Sequence, residues 1–240
     1  MGSAIGWGAL AASSLVIGAL LGVARTWPDR AVGLVLAFGA GALISAVSFD
    51  LAEEGSKLGD AGVMAFGLAV GALTYFGLDR LIGRRGAGRR SGGGGSGDAG
   101  TALALGAFLD GIPEQLVLGI GIAAGDGVSI GLLVAIFVSN LPEAIGSSTE
   151  LAAEHRSPGA IRRLWIGVAV VCALATVAGY AIADNVTGNV HAWVDGFAAG
   201  ALLVMLIDSM IPEAVRKGGD VSGLVTVLGF AVAAGLSGLS

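Results

Sequence analysis

Apolar residues run through this chain in eight long stretches, separated by short polar or glycine-rich segments. Each stretch is close to the length of about 20 residues that an α-helix needs to cross the hydrocarbon of a bilayer. The pattern predicts helical spans at residues 5–24, 31–52, 61–82, 101–124, 128–152, 161–183, 191–213 and 221–239. We therefore predict an all-α bundle of eight transmembrane helices that forms a single domain over residues 1–240.

The composition supports a membrane protein. Of the 240 residues, 55% are hydrophobic and 13% are charged, and the mean hydropathy is +0.85. About a quarter of the residues of a soluble globular domain are charged, so the composition excludes that class. The net charge of −5 arises partly from carboxylates inside the spans. We expect the lipid bilayer as a partner, and no nucleic acid.

The basic residues predict the orientation of the chain in the membrane. All but Lys57 of the 13 Lys and Arg residues fall after spans one, three, five and seven. Because cytoplasmic connections carry an excess of Lys and Arg, both termini are predicted to lie outside. The expected location is the plasma membrane, with several passes through it.

Residues 83–100, after the third span, are rich in Arg, Gly and Ser, with glycine at all four positions from 92 to 95. This composition is typical of a flexible, solvated tether. We predict a cytoplasmic linker between spans three and four. No Gly-Lys-Ser or Gly-Lys-Thr follows the glycines, so they do not indicate a nucleotide-binding loop.

The sequence also repeats itself at two spacings. The run from Phe38 to Leu43 matches the run from Phe197 to Leu202 at a shift of 159 positions, and the same shift aligns Glu54 with Glu213. A shift of 29 aligns the Pro-Glu pair at 113 with the pair at 142. Matched spans run in opposite directions, so we predict inverted repeats of spans 1–3 against 6–8 and of span 4 against 5. Such repeats are typical of transporters with a site near the bilayer midplane.

The fourth and fifth spans hold the residues with the clearest chemistry. A carboxylate at the centre of a membrane helix costs roughly 2.5 to 3.5 kcal/mol and usually faces a polar pathway. Helical spacing places Asp110 beside Glu114 on one face of span four, and Ser139 and Asn140 beside Glu143 on span five. These five residues form the predicted metal site. Protonated glutamates with a purely structural role are the alternative.

Further polar residues near the span ends predict routes to and from that site. Outside, the candidates for the entrance route are Asp50, Glu53 and Glu54. On the cytoplasmic side the candidates are Ser147, Glu150, Glu154, Asp208 and Glu213. Acids at span ends can also be merely solvated, so their role in transport is the weaker part of the hypothesis.

With these features the chain resembles the ZIP (Zrt- and Irt-like protein) family of divalent metal transporters. That family's fourth span typically reads His-Asn-x-Pro-Glu-Gly, where this chain has Asp110-Gly111-Ile112-Pro113-Glu114-Gln115. The fifth span typically reads His-x-x-Pro-Glu, where this chain has Ser139-Asn140-Leu141-Pro142-Glu143. The eight spans, the outer termini and the variable linker after span three also fit the family.

The resemblance implies a divalent metal as substrate, uptake towards the cytoplasm, a homodimer and no organic cofactor. Family ligands carry over unchanged only to Glu114 and Glu143, while Asp110, Ser139 and Asn140 occupy ligand positions with different chemistry. Zn²⁺ is the substrate that the family implies. Because both motif histidines are absent and oxygen ligands suit Mn²⁺ and Fe²⁺, these two ions remain alternatives.

The leading hypothesis is a carrier, not an enzyme, that moves a divalent metal by alternating access around the site in spans four and five. Two other functions stay open from the residues alone. One is a membrane sensor or scaffold that binds metal without moving it. The other is an intramembrane enzyme with paired acids, such as an aspartyl protease, although the chain has no Pro-Ala-Leu-Pro signature.

Overall fold

The architecture was derived from a computed structural model of the chain. The structure describes residues 1–90, 99–124, 129–183 and 188–237. Within these ranges the description covers the backbone only at residues 54, 58, 82–90, 99–110, 124 and 237. Every regular element in the described residues is helical.

The described residues form eight helical rods that follow one another along the chain. The helices are α1 (Gly2–Ala24), α2 (Asp29–Ala46), α3 (Ala61–Arg90), α4 (Ala99–Ala124), α5 (Ile130–Ala153), α6 (Pro158–Ala183), α7 (Asn189–Met205) and α8 (Ser222–Ser237). Helix α2 continues through a π-helical segment, Val47–Glu53, into a short helix, Glu54–Leu58. Helix α7 continues in the same way through Leu206–Met210 into Ile211–Gly218.

Six of the rods are long and apolar enough to cross a membrane: Gly2–Ala24, Asp29–Lys57, Ala61–Leu81, Ile130–Ala153, Pro158–Ala183 and Asn189–Gly218. Within the described residues, α4 and α8 contribute shorter apolar stretches, Gly111–Ala123 and Ser222–Leu236. The predictions of an all-helical chain and a multi-pass membrane protein are confirmed. That all eight rods cross the bilayer remains a prediction.

The linker prediction falls partly on described residues. Helix α3 extends to Arg90 and α4 begins at Ala99. The backbone is therefore helical over the first part of the predicted linker, and residues 91–98 lie outside the described residues. The flexibility of residues 83–100 stays a prediction.

The helices pack in two matched sets of pairs. Helix α3 packs along α7, while α8 packs along α2; α1 packs along α5, while α4 packs along α6. The main core lies between α2, α5 and α7 and is rich in alanine and leucine, and a second core joins α1, α5 and α6. Small residues let helix backbones approach closely in the absence of a hydrophobic driving force in lipid.

Large apolar side chains cover the outward faces of the outer helices. Those at least 60% exposed lie on α3, α6, α8 and the π-helical segment after α7: Phe66, Leu73, Leu174, Ile207, Leu224 and Val227. In water such faces would mark an interface or an aggregation hazard. In a bilayer they meet acyl chains, so the exposed faces are consistent with membrane insertion.

Glycines mediate the closest helix contacts, and four of these contacts form two related pairs. Gly71 of α3 lies against the carbonyl oxygen of Phe197, and Gly229 of α8 lies against that of Phe38. In the second pair, Gly41 of α2 lies against the carbonyl oxygen of Thr226, and Gly200 of α7 lies against that of Leu68. A β-carbon at any of these four glycines would overlap the facing carbonyl.

Candidate functional site

The candidate site lies where α4 and α5 face each other in the interior of the bundle. Both helices continue through an internal proline, Pro113 in α4 and Pro142 in α5. Four polar side chains next to these prolines are fully buried: Glu114, Gln115, Ser139 and Asn140. Such groups are costly to bury without polar partners, so their concentration here marks the most polar part of an otherwise apolar core.

A hydrogen bond joins the two helices directly. The Ser139 hydroxyl lies 3.0 Å from Oε1 of Glu114 and also 3.0 Å from the carbonyl oxygen of Ile136, so it can donate to either. Helix α2 closes the site from another side, because a β-carbon at Gly39 would lie 3.0 Å from Cα of Ser139. Serine thus holds one carboxylate of the predicted pair in place.

The second carboxylate, Glu143, lies on the same side of α5 as Ser139, since residues four apart share a helix face. Glu143 is partly buried, and its Oε2 atom is shielded from solvent. The buried Cys172 thiol of α6 lies within electrostatic reach of both Glu114 and Glu143. Both glutamates therefore lie near the same thiol of α6.

Asn140 shows how this site is altered relative to the family motif. A β-carbon at Gly111, where the motif has asparagine, would lie 3.9 Å from Oδ1 of Asn140 and 2.9 Å from Sγ of Cys172. The Asn140 side chain is fully buried, and among the described residues neither its oxygen nor its nitrogen has a hydrogen-bond partner. The amide of Asn140 thus lies next to the space that an asparagine at 111 would fill.

The crowding at Gly111 gives a testable coupling. We expect Gly111→Ala to destabilise the protein by about 1 to 3 kcal/mol, because the added methyl forces the buried thiol to move. Cys172→Ala should remove most of that cost, since the two changes act on one contact. Thermal unfolding of the two single variants and the double variant in detergent measures the coupling.

Gly121→Ala is the matched control in the same helix, because a β-carbon there would meet nothing within 4 Å. Equal destabilisation by Gly111→Ala with and without the thiol would contradict the packing described here.

Not every predicted ligand is brought to the site. Asp110 lies on α4, and its side chain is outside the described part of the chain. Among the side chains that are described, no three of the His, Cys, Asp and Glu residues are grouped closely enough to hold a metal ion. The described arrangement is a carboxylate pair with serine and asparagine, rather than a closed cage of acidic ligands.

The predicted outer acids occupy different environments. Asp50 lies in the π-helical segment after α2, where Ser129 Oγ, at the start of α5, donates a hydrogen bond of 3.0 Å to its Oδ2. Glu53 is exposed and forms a 2.6 Å ion pair with Lys57. The side chain of Glu54 lies outside the described residues. The bond between Ser129 and Asp50 ties the α2 rod to the beginning of α5.

The predicted inner residues continue down α5 and meet the end of the α7 rod. Ser147 is buried, Glu150 and Glu154 are partly buried, and Asp208 is exposed. Glu213, also partly buried, forms ion pairs with Lys217 at 2.6 Å and with Arg216 at 3.2 Å. Ser147, Glu150 and Glu154 therefore share one face of α5, while Asp208 faces outward.

Two buried polar pairs were not assigned from the sequence. Thr176 of α6 donates a hydrogen bond to Oε1 of Gln115, and Nδ1 of His191 lies 3.0 Å from Oδ2 of Asp195 at the start of α7. The four-residue spacing of His191 and Asp195 on one helix could have indicated their contact. The contact between Thr176 and Gln115 depends on tertiary packing and leaves no signal in the sequence.

Two known proteins match the chain, and no family model does. Over 188 residues the chain is 29% identical to the Arabidopsis thaliana protein At3g08650, whose name describes it as a candidate zinc transporter; the alignment covers 77% of this chain and 30% of that protein. Over 122 residues it is 27% identical to the zinc transporter SLC39A7 of Mus musculus, with 48% and 26% covered. The chain spans less than a third of the length of these curated relatives. Both relatives support the resemblance to the ZIP family.

Proposed function

We propose that this protein is a carrier that moves a divalent metal ion across a membrane. The proposal depends above all on one observation: Glu114 and Glu143 both lie near Cys172 inside an apolar helical bundle, where Ser139 and Asn140 are buried as well. Two carboxylates close together in a medium of low dielectric cannot both stay ionised without a positive charge nearby. A divalent cation supplies that charge. The relatives named zinc transporters favour this function over enzymatic roles.

The architecture proposed for transport is eight membrane helices in inverted repeats, spans 1–3 against 6–8 and span 4 against 5. The matched pairing of α3 with α7 and of α8 with α2 supports this symmetry. So do the two π-helical segments, because Val47 and Leu206, where they begin, are related by the same shift of 159 as the sequence repeat. Inverted repeats allow one helix group to rock against the other around a fixed site.

In this mechanism the metal ion reaches the Glu114 and Glu143 pair from the side of Asp50 and Glu53 and leaves along Ser147, Glu150 and Glu154. Asp110, Ser139 and Asn140 complete the proposed ligand set. The orientation proposed from the basic residues places both termini outside and the exit at the cytoplasm of a plasma-membrane protein. The resemblance further implies that two copies form a homodimer.

Zn²⁺ is the first candidate substrate, because both relatives are named for zinc. The donor set fits a divalent ion, since carboxylate, hydroxyl and amide oxygens surround the site, but it contains no imidazole. Oxygen donors bind Mn²⁺ and Fe²⁺ well compared with sites rich in imidazole or thiolate. We therefore propose a carrier with weak discrimination between these ions, and all three belong in the first assay.

The experiment is metal uptake by the purified protein in liposomes that contain a metal-sensitive dye. We expect an external divalent ion to enter these liposomes faster than it enters protein-free liposomes, with saturation at high metal concentration. Titration of the detergent-solubilised protein with the same ion measures binding separately. Binding without flux would replace the carrier by a sensor or scaffold, and absence of both would refute a metal function.

A further inference from the structure

Lys217, at the end of the α7 rod, is the most enclosed cation whose environment the structure describes. Its ammonium lies 2.6 Å from Oε1 of Glu213, and its side chain is 10% exposed. The other lysine, Lys57, forms an ion pair of the same spacing and length with Glu53, yet its side chain is 68% exposed. Exposed ion pairs contribute little to stability, whereas an enclosed charge needs its partners. The Lys217–Glu213 pair is therefore an enclosed ion pair, whereas the Lys57–Glu53 pair is exposed to solvent.

The backbone around Lys217 is fixed by α2. A β-carbon at Gly33 would overlap the backbone of Lys217 and Gly218, so these two segments are in direct contact. From this anchor the side chain crosses to α5, where Nζ lies 3.5 Å from the position of a β-carbon on Gly146. Lys217 therefore links three rods, with its charged end over α5.

The position of Gly146 shows which part of α5 the Lys217 ammonium contacts. Gly146 is three residues after Glu143 and four before Glu150, so it lies on the stripe that runs from the candidate site to the inner acids. At a rise of about 1.5 Å per residue, the ammonium is less than one helical turn further along α5 than Glu143. It lies across the route proposed for the departing metal.

The same ammonium acts on two acids, Glu213 and Glu150. Glu150 interacts electrostatically with Lys217, Glu213, Glu154 and Arg216. Without this ammonium, the negative charges of Glu150 and Glu213 would attract a cation more strongly. An ion that binds too tightly on its way out slows conduction, because release must remain easy.

We propose that Lys217 is a built-in cation of the exit route, whose ammonium takes the place of metal beside Glu150 and Glu213 and so keeps a released ion from being held there. The inference rests on the proposed carrier function. Lys217 is a positioning residue in this scheme, since it acts on the exit acids and does not touch the ion at Glu114 and Glu143.

The decisive measurement is equilibrium binding of Zn²⁺ and Mn²⁺ to detergent-solubilised protein that carries Glu114→Gln and Glu143→Gln, so that the central pair cannot contribute. Adding Lys217→Gln to this background should tighten metal binding by about tenfold or more. Lys217→Met, which keeps the apolar stem but not the charge, should do the same. Lys217→Arg should leave binding as weak as in the background.

The matched control is Lys57→Gln in the same background, which removes the exposed ion pair of equal spacing and should not change affinity. If neither neutral variant binds metal more tightly while both elute as folded protein, the inference is wrong. Tighter binding that Lys57→Gln also produces would overturn it as well, because the effect would then be one of net charge.

Flux through otherwise unchanged protein separates this inference from the proposed function. Lys217→Gln should lower the maximal rate of uptake into liposomes without raising the half-saturating metal concentration, and Lys217→Arg should restore the rate. No flux through the unmodified protein would refute the carrier, while the binding result would still decide whether Lys217 keeps metal off the inner acids. An unchanged rate in Lys217→Gln would contradict a role in exit.

Discussion

Glu114→Gln and Glu143→Gln are each expected to reduce metal uptake into liposomes by more than about 100-fold. Loss of even an outer-sphere partner of a metal typically costs 10 to 100-fold, and here a negatively charged donor is removed from a buried pair. Glutamine has nearly the same shape, so Glu114→Gln keeps an oxygen within reach of the Ser139 hydroxyl, which lies 3.0 Å from Oε1 in the unmodified protein. Uptake of Zn²⁺ and Mn²⁺, measured with the dye assay, checks the expectation.

Asp79→Asn is the control, because it removes an exposed carboxylate of α3 away from the site. This variant should transport at the rate of the unmodified protein. Circular dichroism and gel filtration establish that all three variants are folded. Full uptake by both Glu114→Gln and Glu143→Gln would refute the proposal that these two glutamates bind the transported ion.

The second large effect is expected at the helix contacts that depend on glycine. Gly41→Ala and Gly200→Ala should each destabilise the protein by about 1 to 3 kcal/mol, because the new methyl would overlap a backbone carbonyl that cannot move independently of its helix. This cost exceeds the gain of up to about 1 kcal/mol that alanine normally brings over glycine inside a helix. The midpoint of thermal unfolding in detergent should fall for both variants.

Gly77→Ala provides the control, since a β-carbon at that position of α3 meets nothing within 4 Å. Its midpoint should stay the same or rise. Similar losses at Gly41 and Gly200 would support the proposed symmetry, because these residues are 159 positions apart and each faces the carbonyl of the partner repeat. A large loss at one position and none at the other would contradict equivalent packing.

Much of the helical architecture was predictable because apolar runs of membrane-spanning length leave few alternatives to a helix. The predicted spans 5–24 and 161–183 lie within Gly2–Ala24 and Pro158–Ala183. The candidate site was predictable for a different reason: Pro-Glu pairs are rare in such a composition, and two of them in related places stand out. Because the two Pro-Glu segments face each other, Ser139 can form a hydrogen bond with Glu114.

The parts that sequence could not predict depend on contacts between distant helices. Cys172 is an ordinary apolar position on its own helix, and only the packing of α6 on α4 brings it against Gly111. In the sequence, Lys217 is one of several basic residues at span ends. Its enclosure depends on Gly33 and Gly146 from two other rods. Periodicity along one helix carries no information about either contact.

The π-helical segments Val47–Glu53 and Leu206–Met210 change the phase of the helices that contain them. A regular α-helix turns by about 100° per residue, and the wider π turn advances less. A helical wheel drawn with one constant step through α7 would therefore assign Glu213 and Lys217 to the wrong side of the rod. An alignment of related chains with a one-residue gap in either segment would assign the wrong side chains to the proposed exit route. The stretches before and after each segment must therefore be compared separately.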